Sequence, residues 1–130
     1  MGKKIIIVFI ILVCSLHAKN TLFDELKLKA DLQKDEQLVV IYQDIGSCIK
    51  CYLEPLAKVS NLAKEGKLKK YKIIALVRCD RAIELNVFKK QTDWKYYMYR
   101  DDGKSRKQLG ANDNCKIVVL NYFGKILIKF

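Results

Sequence analysis

Three runs of apolar and β-branched residues predict strands of a buried sheet. Residues 37–43 (QLVVIYQ) and 71–79 (YKIIALVRC) lack polar alternation, which is typical of strands covered on both faces. Residues 95–100 (KYYMYR) predict a third strand. Residues 116–130 predict two further strands joined by a turn at Asn121–Gly124, which indicates a closing hairpin.

Helical spacing of apolar residues fills the intervals between these strands. It predicts a helix from Cys48 to Gly66, a second helix over 81–91 and a helical turn within 104–110. Residues 21–34 predict an amphipathic helix or a loosely folded lead-in. The order β–α–β–α–β–turn–β–β indicates an α/β fold with parallel early strands and an antiparallel hairpin at the end. The apolar face predicted for the helix after Cys48 comprises Leu53, Leu56, Ala57, Val59, Ser60 and Ala63.

The first eighteen residues have the layout of a secretory signal peptide. A basic leader (MGKK) precedes about twelve mostly apolar residues, and Ala18 offers a small residue for cleavage. The run is too short to suit a membrane span, which needs roughly 20 residues. Cleavage before Cys14 with lipid on that cysteine, or an uncleaved anchor, stays open. We therefore predict a leader over 1–18, a lead-in segment over 19–36 and one folded domain over 37–130.

Composition and charge narrow the class of protein. The chain has 130 residues, is 51% apolar and contains one proline, which indicates one globular domain. Removing residues 1–18 removes two lysines and no acid, so the net charge falls from +11 to +9. Such a charge attracts nucleic acid or anionic lipid. Because the lysines are scattered and exported proteins rarely meet nucleic acid, we expect a generally basic surface and no nucleic-acid partner.

The histidine and cysteine content restricts the chemistry further. His17 is the single histidine and lies in the leader, so the remaining chain has no imidazole for a Cys/His nucleophile or a histidine-containing metal site. Export permits disulfides. Cys48 and Cys51 form the one local pair among the four cysteines that follow the leader, the other two being Cys79 and Cys115.

The stretch QDIGSCIKCYLEP (43–55) places Cys48 after a buried strand and at a helix start. A helix N-terminus stabilises a thiolate, and Lys50 acts in the same direction, so the pKa of Cys48 should lie below the ordinary thiol value of about 8.5. Cys51 lies one turn further on, within disulfide reach. The pattern predicts Cys48 as attacking thiol and Cys51 as resolving thiol of a redox-active disulfide, with no metal and no cofactor.

Glu54 follows Cys51 by three residues, one helical turn further on. A carboxylate held there accepts the proton of the Cys51 thiol when that thiol attacks, and it also raises the thiol pKa by repulsion. A solvated glutamate on the helix surface explains the same position. Both interpretations of Glu54 stay open.

Together these features resemble the thioredoxin-like fold, and within it the TlpA/ResA-type exported thiol–disulfide oxidoreductases of the peroxiredoxin branch. The similarity covers residues 37–130 and includes the glutamate three residues after the second cysteine and a helix–strand insertion at 81–103. It implies a central mixed sheet with flanking helices and a C-terminal β-hairpin. Because Phe130 follows the hairpin directly, we expect the usual final helix to be absent, and residues 21–34 or a partner to cover the sheet.

The chain departs from this family at informative positions. Ser47 stands where the family usually has tryptophan, and Cys115 stands where it has a cis-proline in a loop that faces the CxxC and guides the substrate. Cys115 is therefore a candidate third thiol in the substrate loop, able to pair with Cys48 or to bind a metal; a small buried residue is the alternative. Cys79 is expected to be a buried structural thiol, with a redox relay as alternative.

The leading hypothesis is an exported thiol–disulfide oxidoreductase of the periplasm or another extracytoplasmic space. Its expected partners are a protein thiol or disulfide substrate and a redox partner protein, with membrane association through the N-terminus as an option. Two alternatives stay open: a Cu(I)- or Zn(II)-binding module using Cys48, Cys51 and Cys115, and a degenerate binding domain with a structural disulfide. A peroxidase is disfavoured because Ile45 replaces the Thr or Ser expected three residues before Cys48.

Overall fold

The computed structural model describes residues 21–45, 52–112 and 114–130. In chain order the elements are α1 (Thr21–Lys29), β1 (Gln37–Asp44), α2 (Leu53–Lys64), β2 (Tyr71–Arg78), α3 (Ala82–Thr92), β3 (Tyr97–Asp101), α4 (Ser105–Gln108), β4 (Ile117–Leu120) and β5 (Ile126–Lys129). Strands β1, β2 and β3 and helix α3 begin and end within two residues of their predicted bounds. Within the described ranges, none of the helices has the length and apolar character needed to cross a bilayer.

The five strands form one mixed sheet in the order β3-β2-β1-β4-β5. β2 is parallel to β1 and to β3, as two successive β–α–β crossovers require. β4 is antiparallel to both of its neighbours, with Val40 of β1 opposite Val118 of β4. The predicted mixed sheet with a closing hairpin is confirmed, and α3 with β3 supplies the predicted insertion at one edge.

Strand β1 is the centre of the sheet and is buried on both faces. Alternate side chains point to opposite faces: Leu38, Val40 and Tyr42 pack in one apolar cluster, whereas Val39 and Ile41 pack in the other. Residues of α2 and α3 cover the face of Val39 and Ile41. Residues of α1 cover the opposite face, hereafter the α1 face. Burial on both faces explains why the run 37–43 lacks polar alternation.

Helix α1 and the residues after it are part of the core. Phe23 and Leu26 of α1 and Leu32 beyond it are buried on the α1 face. Phe23 also lies against Gly124 of the β4–β5 turn, where a Cβ atom would be 3.1 Å from the Phe23 ring. The expectation that residues 21–34 cover part of the sheet is confirmed for this face.

Helix α2 begins at Leu53, and Pro55 lies in its first turn. The first helical hydrogen bond is donated by the Leu56 amide to the Tyr52 carbonyl at 3.3 Å. Pro55 therefore occupies a position whose N–H would have no helical partner. The buried side chains are Pro55, Val59 and Leu62. The predicted apolar face is thus wrong in part: Leu53, Ala57 and Ser60 are exposed, because the stripe that meets the sheet is rotated towards Pro55 and Leu62.

Candidate functional site

The carboxyl ends of β1, β2 and β3 meet at one edge of the sheet, because these strands are parallel. β4 is antiparallel to β1 and therefore begins at the same edge. Two hydrogen bonds define this junction: the Ile45 amide donates to the Arg78 carbonyl at 3.3 Å, and the Tyr42 amide donates to the Lys116 carbonyl at 2.9 Å. In open α/β sheets the carboxyl edge is the usual place of a functional site.

Three connections leave or reach this edge: the segment after β1, the residues after β2 and the loop before β4. The segment after β1 carries Cys48 and Cys51, which lie outside the described residues. Their predicted roles as attacking and resolving thiol stay predictions. The order of the elements nevertheless puts both cysteines in the connection between the central strand and helix α2.

Glu54 lies in the first turn of α2, and its side chain is exposed. The helix start beside it is fixed by Tyr52, whose hydroxyl donates to the Thr92 carbonyl at 3.0 Å. The Tyr52 ring also meets the rings of Phe88 and Trp94 edge to face, at centroid distances of 6.3 and 5.8 Å. The exposed position fits a proton acceptor and a solvated helix residue equally, so the role of Glu54 stays a prediction.

Cys115 precedes β4 at the same edge and carries a free thiol. Its side chain is 4% exposed and packs in the cluster on the α1 face, together with Tyr42. The Cys115 amide donates to the Asn112 carbonyl at 3.2 Å, and the Cys115 carbonyl accepts from Nε of Arg106 at 3.1 Å. Cys115 therefore lies across from the end of β1, and its predicted place in a substrate loop and its part in exchange stay predictions.

Cys79 follows β2 at the same edge, is 7% exposed and carries a free thiol. Burial raises the pKa of this thiol, the carboxylate of Glu84 acts in the same direction, and the guanidinium of Arg100 opposes both. Arg100 donates through Nε to the Cys79 carbonyl at 3.0 Å and through Nη2 to the Asp80 carbonyl at 2.5 Å. A buried thiol with a raised pKa is a poor nucleophile at neutral pH, which agrees with the structural interpretation of Cys79.

Two arginines at this edge were not predicted from the sequence. Arg106 lies in α4, where its guanidinium carbon is 4.5 Å from the centroid of the buried Tyr42 ring, and it also binds the Cys115 carbonyl. Arg100 lies on the edge strand β3 and binds the residues after β2. In so basic a chain, neither arginine stands out by its sequence position. Only the pairing of the strands brings these side chains to the cysteine loops.

The described part of the chain holds no group of three His, Cys, Asp or Glu side chains placed to bind a metal ion. Cys79 and Cys115 belong to different connections, after β2 and before β4. The proposed trio of Cys48, Cys51 and Cys115 includes two residues outside the described ranges. The metal-binding alternative therefore has no specific structural observation in its favour.

The structure is similar to solved structures of thioredoxin-like domains. The thioredoxin domain of a thiol–disulfide oxidoreductase from Bacteroides vulgatus is 15% identical and superimposes with a TM-score of 0.51, over 74% of this chain and 70% of that chain. The C-terminal domain of a protein assigned as a thiol–disulfide oxidoreductase from Bacteroides thetaiotaomicron is 16% identical, with a TM-score of 0.54 over 74% and 68% of the two chains.

A third solved structure, assigned as a thioredoxin from Neisseria meningitidis, is 20% identical with a TM-score of 0.52, over 78% of this chain and 67% of that chain. No protein-family model and no curated protein matches the chain. At such identities a shared architecture establishes the fold and does not transfer an activity. The mixed five-stranded sheet, the flanking helices and these structural neighbours together show that the chain has a thioredoxin-like fold.

Proposed function

We propose that this protein is an exported thiol–disulfide oxidoreductase that reacts through Cys48 and Cys51. One observation carries the proposal: in a thioredoxin-like fold, both cysteines belong to the connection between the central strand β1 and helix α2. That connection starts at the carboxyl edge of the sheet, beside the loop that begins β4. The solved neighbours that share this fold include domains described as thiol–disulfide oxidoreductases.

The chemistry proposed is exchange through a mixed disulfide. The Cys48 thiolate attacks one sulfur of a substrate disulfide, the substrate S–S bond breaks, and the other substrate sulfur leaves as a thiolate. Cys51 then loses its proton, for which Glu54 is the proposed acceptor, and its thiolate attacks Cys48. The second substrate sulfur leaves, and a Cys48–Cys51 disulfide remains. Two electrons pass from the enzyme dithiol to the substrate, and the opposite direction runs the same steps in reverse.

Export is proposed from the leader over residues 1–18, with Cys14 lipidation or an uncleaved anchor as alternatives. An oxidising space outside the cytoplasm gives a dithiol enzyme both disulfide substrates and a need for a redox partner protein. The partners proposed are therefore a protein thiol or disulfide and a second redox protein that resets the Cys48–Cys51 couple.

The test traps the mixed disulfide. Cys51→Ser should hold a labelled peptide disulfide covalently on Cys48, because the resolving thiol is gone. The adduct should be released by a reductant and located on Cys48 by peptide mass spectrometry. Cys48→Ser should form no adduct, and the wild type should turn the peptide over without accumulating one.

Cys79→Ser serves as the matched control, since it removes a buried thiol from the same edge of the sheet. This variant should keep the exchange rate of the wild type. The proposal fails if the wild type exchanges no disulfide and Cys51→Ser traps nothing. It also fails if the adduct forms on Cys79 or Cys115 instead.

A further inference from the structure

Each of the two buried free thiols has its own backbone carbonyl bound by an arginine. Nε of Arg106 donates to the Cys115 carbonyl at 3.1 Å, and Nε of Arg100 donates to the Cys79 carbonyl at 3.0 Å. The arginines come from α4 and from β3, so each joins two different parts of the chain. The same type of contact therefore occurs twice at the carboxyl edge of the sheet, on the two connections that border the segment after β1.

Arg106 connects the loop before β4 to the central strand β1. Its guanidinium stacks on the ring of Tyr42, a residue of β1 that is 4% exposed. The Tyr42 amide in turn binds the Lys116 carbonyl at 2.9 Å, next to Cys115. The Arg106 side chain thus packs on the central strand and binds the backbone of Cys115. A local opening that carries the Cys115 backbone away from α4 breaks the hydrogen bond from Arg106.

Arg100 holds the residues after β2 with a two-pronged contact. In addition to its bond to Cys79, its Nη2 donates to the Asp80 carbonyl at 2.5 Å. Arg100 is exposed, whereas Arg106 is half-buried. Solvent competes more strongly with the contact of an exposed guanidinium. We therefore expect Arg100 to hold Cys79 less firmly than Arg106 holds Cys115.

We propose that Arg100 and Arg106 are positioning residues that keep Cys79 and Cys115 out of thiol–disulfide exchange, so that the reaction is confined to Cys48 and Cys51. The effect on thiol–disulfide exchange rests on the proposed function, whereas the protection of Cys79 and Cys115 by the two arginines is independent of it. A buried thiol reacts only when its segment opens locally, so a contact that is broken in the open form lowers the reaction rate of that thiol alone.

The reaction that Arg106 would suppress can be written as a balanced step. After opening, the Cys115 thiolate attacks Cys48 in the Cys48–Cys51 disulfide. That S–S bond breaks, a Cys48–Cys115 bond forms, and Cys51 leaves as a thiolate. No net electron transfer occurs, and the couple is left in a pairing that cannot serve a substrate in the same way.

The first experiment measures alkylation of each cysteine in the folded full-length chain by iodoacetamide, with every site quantified by peptide mass spectrometry. Arg106→Met should raise the alkylation rate of Cys115 about tenfold or more, since a hydrogen bond from a charged donor is lost. The rate at Cys79 should not change. Arg100→Met should show the opposite pattern, with a smaller increase at Cys79, because the lost guanidinium also lowered the pKa of this thiol.

Two further variants distinguish the loss of the Arg106 hydrogen bond from the loss of its positive charge. Lys107→Met removes one positive charge from an exposed residue of the same helix as Arg106 and should leave Cys115 protected. Arg106→Lys keeps the charge without the planar donor group and should fall between the wild type and Arg106→Met. The proposal is overturned if neither arginine variant changes an alkylation rate. It is equally overturned if each variant raises both rates by the factor expected from its loss of global stability in urea.

The second experiment reads the disulfides formed in a glutathione redox buffer. Arg106→Met should accumulate a Cys48–Cys115 disulfide that the wild type lacks, and adding Cys115→Ser should restore the Cys48–Cys51 pairing. If the wild type shows no Cys48–Cys51 exchange, the proposed function fails, and alkylation alone decides the positioning role. If exchange proceeds and Arg106→Met forms no Cys48–Cys115 bond, confinement of the reaction by Arg106 is refuted.

Discussion

Burial changes the acidity of Tyr42, a residue of the central strand. Its side chain is 4% exposed, and its Oη atom has no hydrogen-bond partner within the described residues. Removal from water raises the pKa of this phenol far above its ordinary value, while the neighbouring Arg106 guanidinium opposes the shift. Burial therefore favours the neutral hydroxyl in the folded state.

The raised pKa of Tyr42 predicts a loss of stability in alkaline solution. Above pH of about 10 the unfolded chain releases the Tyr42 proton and the folded chain keeps it, so the free energy of unfolding falls as pH rises. Tyr42→Phe should remove this part of the decline. At neutral pH the variant should equal the wild type or exceed it by about 1 kcal/mol, because an unpaired buried hydroxyl is lost.

Urea denaturation at neutral pH and at pH of about 10.5 and above measures both effects. Tyr96→Phe is the control, because Tyr96 is 44% exposed and should leave the alkaline slope of the wild type unchanged. A Tyr42→Phe variant that keeps the full alkaline slope, or that is less stable at neutral pH, would contradict the burial argument.

At the scale of the elements, two turns contain a glycine at positive φ. The surroundings of the two glycines differ, so their substitutions can be compared. Gly66 ends α2 with φ of 75°, and a Cβ atom there would meet nothing within 4 Å. Gly124 closes the β4–β5 turn with φ of 86°, and a Cβ atom would lie 3.1 Å from the Phe23 ring of α1. The first glycine serves its own helix, whereas the second also lets α1 approach the hairpin.

Substituting alanine at the two positions should therefore have unequal effects. Gly66→Ala should lower the free energy of unfolding by about 1 kcal/mol, which is the cost of a left-handed alanine. Gly124→Ala should cost more, because Phe23 must also move. Chemical denaturation of the two variants side by side gives the comparison, and equal losses would show that the Phe23 contact relaxes freely.

The spacing of apolar residues predicted where the helices and strands lie, but it predicted the buried face of α2 only in part. The runs 37–43 and 71–79 became β1 and β2 because a fully buried strand needs an unbroken apolar pattern. In α2 the predicted face included Leu53, which is 50% exposed, and omitted Leu62, which is buried. Several apolar stripes fit one helical sequence, and the angle at which the helix meets the sheet selects among them.

For the molecule as a whole, the segment before β1 forms part of the core, as expected for residues 21–34. The lead-in predicted over residues 19–36 includes α1, whose Leu26 is fully buried on the α1 face. A chain that began at residue 37 would leave part of that face exposed to water, since Leu109 and Ala111 are its other nearby cover. The stable unit therefore includes α1.

Leu26→Ala should accordingly lower the free energy of unfolding by about 3 kcal/mol, as expected for a cavity in a core. Leu28→Ala is the matched control on the same helix, since Leu28 is 80% exposed and should change stability by less than about 0.5 kcal/mol. Thermal or urea denaturation of both variants checks the difference. Similar small losses for both would mean that α1 is dispensable to the fold.

Local patterns in the sequence specify the α/β class, the order of the elements, the burial of β1 and the placement of Cys48 and Cys51 between a strand and a helix. These features follow from local spacing, because the period of apolar residues and the positions of turn residues are properties of short segments. Only tertiary packing shows which side chains of α1 meet the sheet, and that Arg100 and Arg106 bind the carbonyls of Cys79 and Cys115. Those contacts join different elements, and only strand pairing and packing bring them together.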